Sequence, residues 1–140
     1  MTVPISKYGD IVRFARNLGE EHDVPIACFG HAGDGNLHYS VLIDESDPEE
    51  YELGKELYGQ IVERAIELGG TATGEHGVGL GKRKFLEREH GAETVALMRR
   101  VKRAFDPNDI LNPGKLFPET IDGGRVDLGE DAEQDSPDRE

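Results

Sequence analysis

Three histidines and a glutamate stand inside two glycine-rich stretches, and that concentration is where chemistry is to be sought. The first stretch is Gly30-His31-Ala32-Gly33-Asp34-Gly35-Asn36-Leu37-His38, and the second is Gly70-Thr71-Ala72-Thr73-Gly74-Glu75-His76-Gly77-Val78-Gly79. The whole chain has only five histidines. Glycine loses more backbone freedom on folding than any other residue, so a dense run of it must return a tight turn or a close approach to a ligand. His31, His38 and Glu75 offer two imidazole nitrogens and a carboxylate. That set holds a divalent metal, zinc or manganese, and leaves a coordination position open for water or substrate. His76 follows Glu75 directly and on extended backbone would face the other way. It then reads as an acid or base beside the metal rather than a ligand. The competing reading is structural: histidines beside glycines hydrogen-bond turns, and Asp34 would stabilise a hairpin through an Asx-turn.

The glycines from Gly74 to Gly81 do not make a dinucleotide fingerprint. That motif needs a full strand, three glycines in fixed register, a helix and a later acid. Here the preceding strand is too short and the register is wrong. Lys82, Arg83 and Lys84 read either as a phosphate contact or as a solvated helix start.

The elements that must position these residues are legible from periodicity. Tyr8, Ile11, Val12, Ala15 and Leu18 recur at helical spacing, predicting a helix over residues 6–21 with Ser6 as its N-cap. Residues 25–29 form a short apolar strand. Residues 37–43 alternate as a second strand, and a Gly-Asp-Gly-Asn turn joins the two as a hairpin. His31 and His38 then lie on neighbouring strands at the mouth of one loop. A second long helix, carrying Tyr51, Leu57, Ile61, Ala65 and Leu68, starts near Ser46 or Asp47 and ends at Gly69-Gly70, which suits a left-handed cap. Residues 71–73 predict a third, very short strand that delivers Glu75. A polar helical segment follows over residues 82–90. A third amphipathic face comes next, on Val95, Met98, Val101, Ala104 and Phe105. Residues 111–117 are an irregular segment with enough apolar side chains to pack. The fold class is α+β: a small antiparallel sheet with helices packed on one face.

At 140 residues the chain is one domain at most. Its net charge of −13 disfavours nucleic acid and anionic membrane as partners and suits a high-salt cytoplasm. Cys28 is the only cysteine, which excludes an internal disulfide and a cysteine-based zinc site. No stretch approaches the roughly 20 apolar residues of a membrane span, and no signal peptide is visible. A cytoplasmic chain is expected, peripheral to the membrane at most through an electron acceptor. Residues 119–140 hold nine acids and two arginines, so they carry −7 of the total charge. They contain too few apolar residues to offset the entropy of ordering, and a disordered acidic tail is expected there. The globular part is then residues 1–118.

The two glycine stretches, together with Leu111-Asn112-Pro113-Gly114-Lys115, resemble the C-terminal (cap) domain of FAD-linked oxidases. This family includes D-lactate dehydrogenase, the glycolate oxidase large subunit and D-2-hydroxyglutarate dehydrogenase. The resemblance runs in order and spacing from about Val3 to Phe117. It implies part of a ferredoxin-like cap domain closing over a flavin held by a separate N-terminal domain. His31, His38 and Glu75 would bind the divalent ion, and His76 would be the catalytic base that also meets the substrate. The substrate, a small 2-hydroxy acid, would lose its hydroxyl proton to His76 while hydride leaves its carbon for the flavin. Asn112 matches a position near the FAD. Ser40 stands where the hydroxyglutarate enzymes carry a substrate-contacting asparagine, which turns the expectation toward D-lactate or glycolate. The flavin domain and the upstream basic residues that grip the substrate carboxylate are expected to come from elsewhere, as a flavin-binding domain or chain. The alternatives are a non-catalytic metal-binding remnant and a plain interaction domain.

Overall fold

The computed structural model describes residues 1–118; the expected acidic tail at 119–140 lies outside them. The fold is α+β. Strand β1 (Ile26–His31) pairs antiparallel with β2 (Asn36–Val41), with Ile26 opposite Val41, Phe29 opposite His38 and His31 opposite Asn36. Helix α1 (Tyr8–His22) precedes the hairpin and α2 (Pro48–Glu67) follows it. A 3-10 turn over Ile5–Lys7 leads into α1. Asp47 caps α2, its carboxylate accepting from the Glu49 and Glu50 amides, and Pro48 takes the first helical position, where no amide is needed. Gly69, at φ +79, ends the run in the left-handed region expected of it.

Alternation sorts the hairpin into two faces. One face looks onto α1 and α2. There Leu37 joins Ile11, Ala15, Leu57, Ile61, Val62 and Ala65 in a core that excludes water almost completely. Tyr39 stacks on Tyr58, and its hydroxyl donates to the Tyr58 carbonyl at 3.3 Å. Burial drives the Tyr39 phenol far above its usual range. The opposite face carries Phe29, His31, Asn36, His38 and Ser40, and the helices leave it uncovered.

Four expectations give way to the structure. The third strand is not a strand: Thr71 makes an isolated antiparallel bridge with Thr2, and Thr2 also bridges to Asn36. The amino-terminal residues lie between the hairpin and the Thr71 segment, with Leu37 N–H donating to the Met1 carbonyl and Val3 N–H to Gly35, both at 2.9 Å. No periodicity marks a three-residue bridging segment. The polar helix over 82–90 is broken into α3 (Gly79–Lys82), a 3-10 turn (Arg83–Phe85) and α4 (Leu86–His90). Finally, α5 (Ala92–Phe105) packs chiefly on α4, and its apolar face is largely open. Val95 is buried, whereas Val101 is 51% and Phe105 81% exposed. Leu111 and Leu116 are also exposed, so the irregular C-terminal segment packs less than its composition suggests.

Candidate metal centre

The two glycine stretches meet on the open face of the hairpin. The hairpin turn is a 3-10 turn over Ala32–Asp34, closed by Gly35 at φ +72. The four-residue Gly-Asp-Gly-Asn turn is therefore one residue out: the strand already begins at Asn36. Parity then puts Asn36, His38 and Ser40 on one face of β2, with His31 and Phe29 beside them on β1. His38 stacks on its rung partner Phe29, with ring centroids 5.6 Å apart. The His31 ring meets the His38 ring edge-on, also at 5.6 Å.

Glu75 reaches this face from the loop after the Thr71 bridge. Gly74 there adopts φ +52 and packs so close to Met1 and Asn36 that a side chain would press on both. The backbone turns at residues 74–76 rather than running extended. Glu75 and His76 therefore do not diverge as alternation would require, and both side chains return to the same place. Glu75 Oε1 lies 3.3 Å from His38 Nε2, 3.5 Å from His76 Nε2 and 3.8 Å from His31 Nε2. The ligand atoms of His31, His38 and Glu75 all lie within 4.8 Å of one another. The His76 ring sits 5.6 Å from that of His38. His31, Glu75 and His76 are exposed and His38 is half-buried, so the cluster opens to solvent on one side.

Two residues outside the predicted set shape the site. Asn36 Nδ2 donates to Glu75 Oε2 at 2.8 Å. Lys82 Nζ donates to the Thr73 carbonyl at 3.1 Å, at the root of the Glu75 loop, and partial burial lowers its ammonium below the usual lysine range. A cavity of about 250 Å³ beside the cluster is lined by His38, His76, Lys82, Phe29 and Tyr58, among others. Strand parity could have found Asn36, two residues from His38, had the turn not been read as including it. Nothing in a Lys-Arg-Lys run distinguishes the one lysine that turns inward.

Ser40 is exposed on the same face of β2, two residues past His38. Asn112 lies in the C-terminal segment at φ +49. It lines a second cavity of about 490 Å³ with Arg83, Arg99, Lys102 and Arg103.

The chain is thus an α+β unit whose hairpin presents an open cluster of two histidines and a glutamate that could hold a metal ion. The chain belongs to the family of FAD linked oxidases, C-terminal domain, which matches residues 1–116. It is 46% identical over 116 residues to the glycolate oxidase subunit GlcD of Bacillus subtilis, covering 83% of this chain and 25% of that protein. It is 40% identical over 116 residues to the mitochondrial D-lactate dehydrogenase [cytochrome] of Arabidopsis thaliana, covering 83% of this chain and 20% of that protein. GlcD of Escherichia coli is 36% identical over 117 residues, which are 84% of this chain and 23% of the relative. The chain thus aligns with a fifth to a quarter of the length of these relatives. Membership implies FAD as the family's cofactor. No helix among the described residues is long and apolar enough to cross a membrane.

Proposed function

We propose that this chain is the substrate- and metal-binding part of an FAD-dependent 2-hydroxy acid dehydrogenase of the D-lactate or glycolate type. The observation that carries the reading is the convergence of His31, His38 and Glu75 within 4.8 Å, with His76 Nε2 3.5 Å from the same carboxylate oxygen. Two imidazoles and a carboxylate fit a zinc or manganese ion and leave positions open, and the exposed side of the cluster gives a small acid access. When bound, the ion supplies a Lewis acid that makes the substrate hydroxyl easier to deprotonate near neutral pH.

The side chains divide the remaining work. His31, His38 and Glu75 hold the ion. His76, beside the cluster but outside the ligand group, takes the hydroxyl proton of the substrate on a ring nitrogen. A base within hydrogen-bond reach contributes on the order of a hundredfold or more. Ser40 offers a short hydroxyl on the same face, which suits a small substrate better than a second carboxylate. FAD supplies the hydride acceptor. One exposed asparagine, Asn112, is no flavin cradle, so the cofactor is held mainly by a flavin-binding domain or chain, with Asn112 as this domain's contribution.

Metal analysis separates the roles. Wild type and His76→Ala should retain zinc or manganese after dialysis, and His38→Ala should lose it. Equal retention by His38→Ala, or loss from His76→Ala, would refute the division of labour. Turnover of D-lactate or glycolate after addition of the flavin-binding domain should fall at least a hundredfold in His76→Ala.

A further inference from the structure

Among the described residues Asn36 is one of only two buried polar or charged residues, at 5% exposure. It has no part in the proton or metal chemistry of the proposed function, yet it touches every segment that builds the centre. Its rung partner on β1 is His31. It stands two residues from His38 on the same face of β2. Its backbone bridges to Thr2. Its side-chain amide lies under Gly74, and Nδ2 donates to Glu75 Oε2 at 2.8 Å. The other amide atom, Oδ1, is buried and makes no hydrogen bond. Turning the amide over would set Oδ1 against the Glu75 carboxylate, two acceptors face to face. The orientation is therefore dictated by Glu75, and a buried acceptor is left unsatisfied to keep it.

We propose that Asn36 is a positioning residue of the metal centre: it binds Glu75 Oε2 so that Oε1 alone is presented to the ion. The proposal rests on the metal reading of the cluster. A free glutamate on a glycine-flanked loop would rotate, and could offer one oxygen or both. With Oε2 held by Asn36, the carboxylate is fixed as a one-oxygen ligand and Oε1 faces His31, His38 and His76 together. Hydrogen-bonded partners of this kind orient ligating carboxylates, and losing one typically costs 10- to 100-fold in metal affinity.

The test uses the full chain, titrated with Zn²⁺ and Mn²⁺ against a chromophoric chelator. Asn36→Leu keeps the volume and Asn36→Ser keeps a polar group, but neither can place an N–H on Glu75 Oε2. Both should bind 10- to 100-fold more weakly than wild type. Loaded with Co²⁺, both should show a changed visible absorption band, because a released carboxylate can add its second oxygen to the ion. In wild type, the Asn36 side-chain amide protons should exchange slowly and shift on zinc addition, a readout that needs no variant to fold. Unchanged affinity and cobalt spectrum in both variants, or Asn36 amide protons that ignore zinc, would overturn the proposal while leaving the metal reading intact. A wild-type chain that binds neither ion would overturn the metal reading, and Asn36's role with it.

Discussion

Gly35 and Gly33 are neighbours in one motif, but only one of them meets a neighbouring backbone. Gly35 sits at φ +72, where a Cβ would collide with the Val3 carbonyl oxygen that packs across it. The Val3 amide donates back to the Gly35 carbonyl at 2.9 Å. A Cβ at Gly33 meets nothing within 4 Å. Gly35→Ala should therefore destabilise the chain by about 2–3 kcal/mol, from left-handed strain and the forced retreat of Val3. Gly33→Ala should stay within about 0.5 kcal/mol of wild type. Urea unfolding of the two variants checks this, and equal effects would mean that the amino-terminal segment does not pack across Gly35 as described.

The end of α5 is organised by one carboxylate. Asp106 is buried and follows the last helical residue. Its Oδ1 accepts from the Ile110 amide and its Oδ2 from the Leu111 amide, each at 2.9 Å, and Lys102 reaches the same carboxylate from one turn back. This folds the chain back beneath α5 and sets the start of the Asn112 segment. Lys102 first, then the two amides, hold the Asp106 carboxyl below its usual range. A carboxylate whose pKa is depressed by folding stabilises the native state above the unfolded carboxylate pKa of about 3.9. That contribution fades as pH falls through the lower folded value. Protection of the Ile110 and Leu111 amides, their exchange relative to the intrinsic rate at each pH, should thus be high at pH 6 and fall as acid protonates Asp106. Asp106→Asn should leave both amides weakly protected at either pH, because the amide loses the charge that Lys102 and the backbone donors bind. Strong protection in that variant would show the segment to be held by something other than this carboxylate.

At the scale of the molecule, α5 and the segment after it leave apolar side chains open: Leu97, Val101, Phe105, Ile110 and Leu111 are all more than half exposed. Val101 and Phe105 were expected in the core because their spacing is that of a buried face, and a buried face they become only if another body covers it. Under the proposed function, a flavin-binding domain or chain is the body that would cover it. No stretch of the sequence reads as a dinucleotide-binding fingerprint. The isolated protein should therefore oxidise neither D-lactate nor glycolate with a dye as acceptor, at any metal loading. Turnover without added flavoprotein would contradict the assignment of hydride acceptance to another domain.

Residue type and local period were enough to identify the helices α1 and α2, the hairpin, the α+β class and the four side chains that meet on the hairpin's open face. Those features depend on contacts a few residues apart: apolar spacing at 3.6 or 2, an aspartate before a proline, a glycine after the last turn. The long-range arrangements were not legible. That the amino-terminal residues bridge Asn36 to Thr71 depends on backbone bonds between segments more than thirty residues apart, which no period encodes. That Glu75 and His76 converge follows from a turn at Gly74, whose left-handed φ and close neighbours Met1 and Asn36 leave no comfortable place for a side chain. Asn36 passed for a turn residue in the sequence and became a buried donor only once the register set His31 opposite it and the loop brought Glu75 above it. Local pattern selects which face of a strand carries a side chain; only packing selects what meets it there.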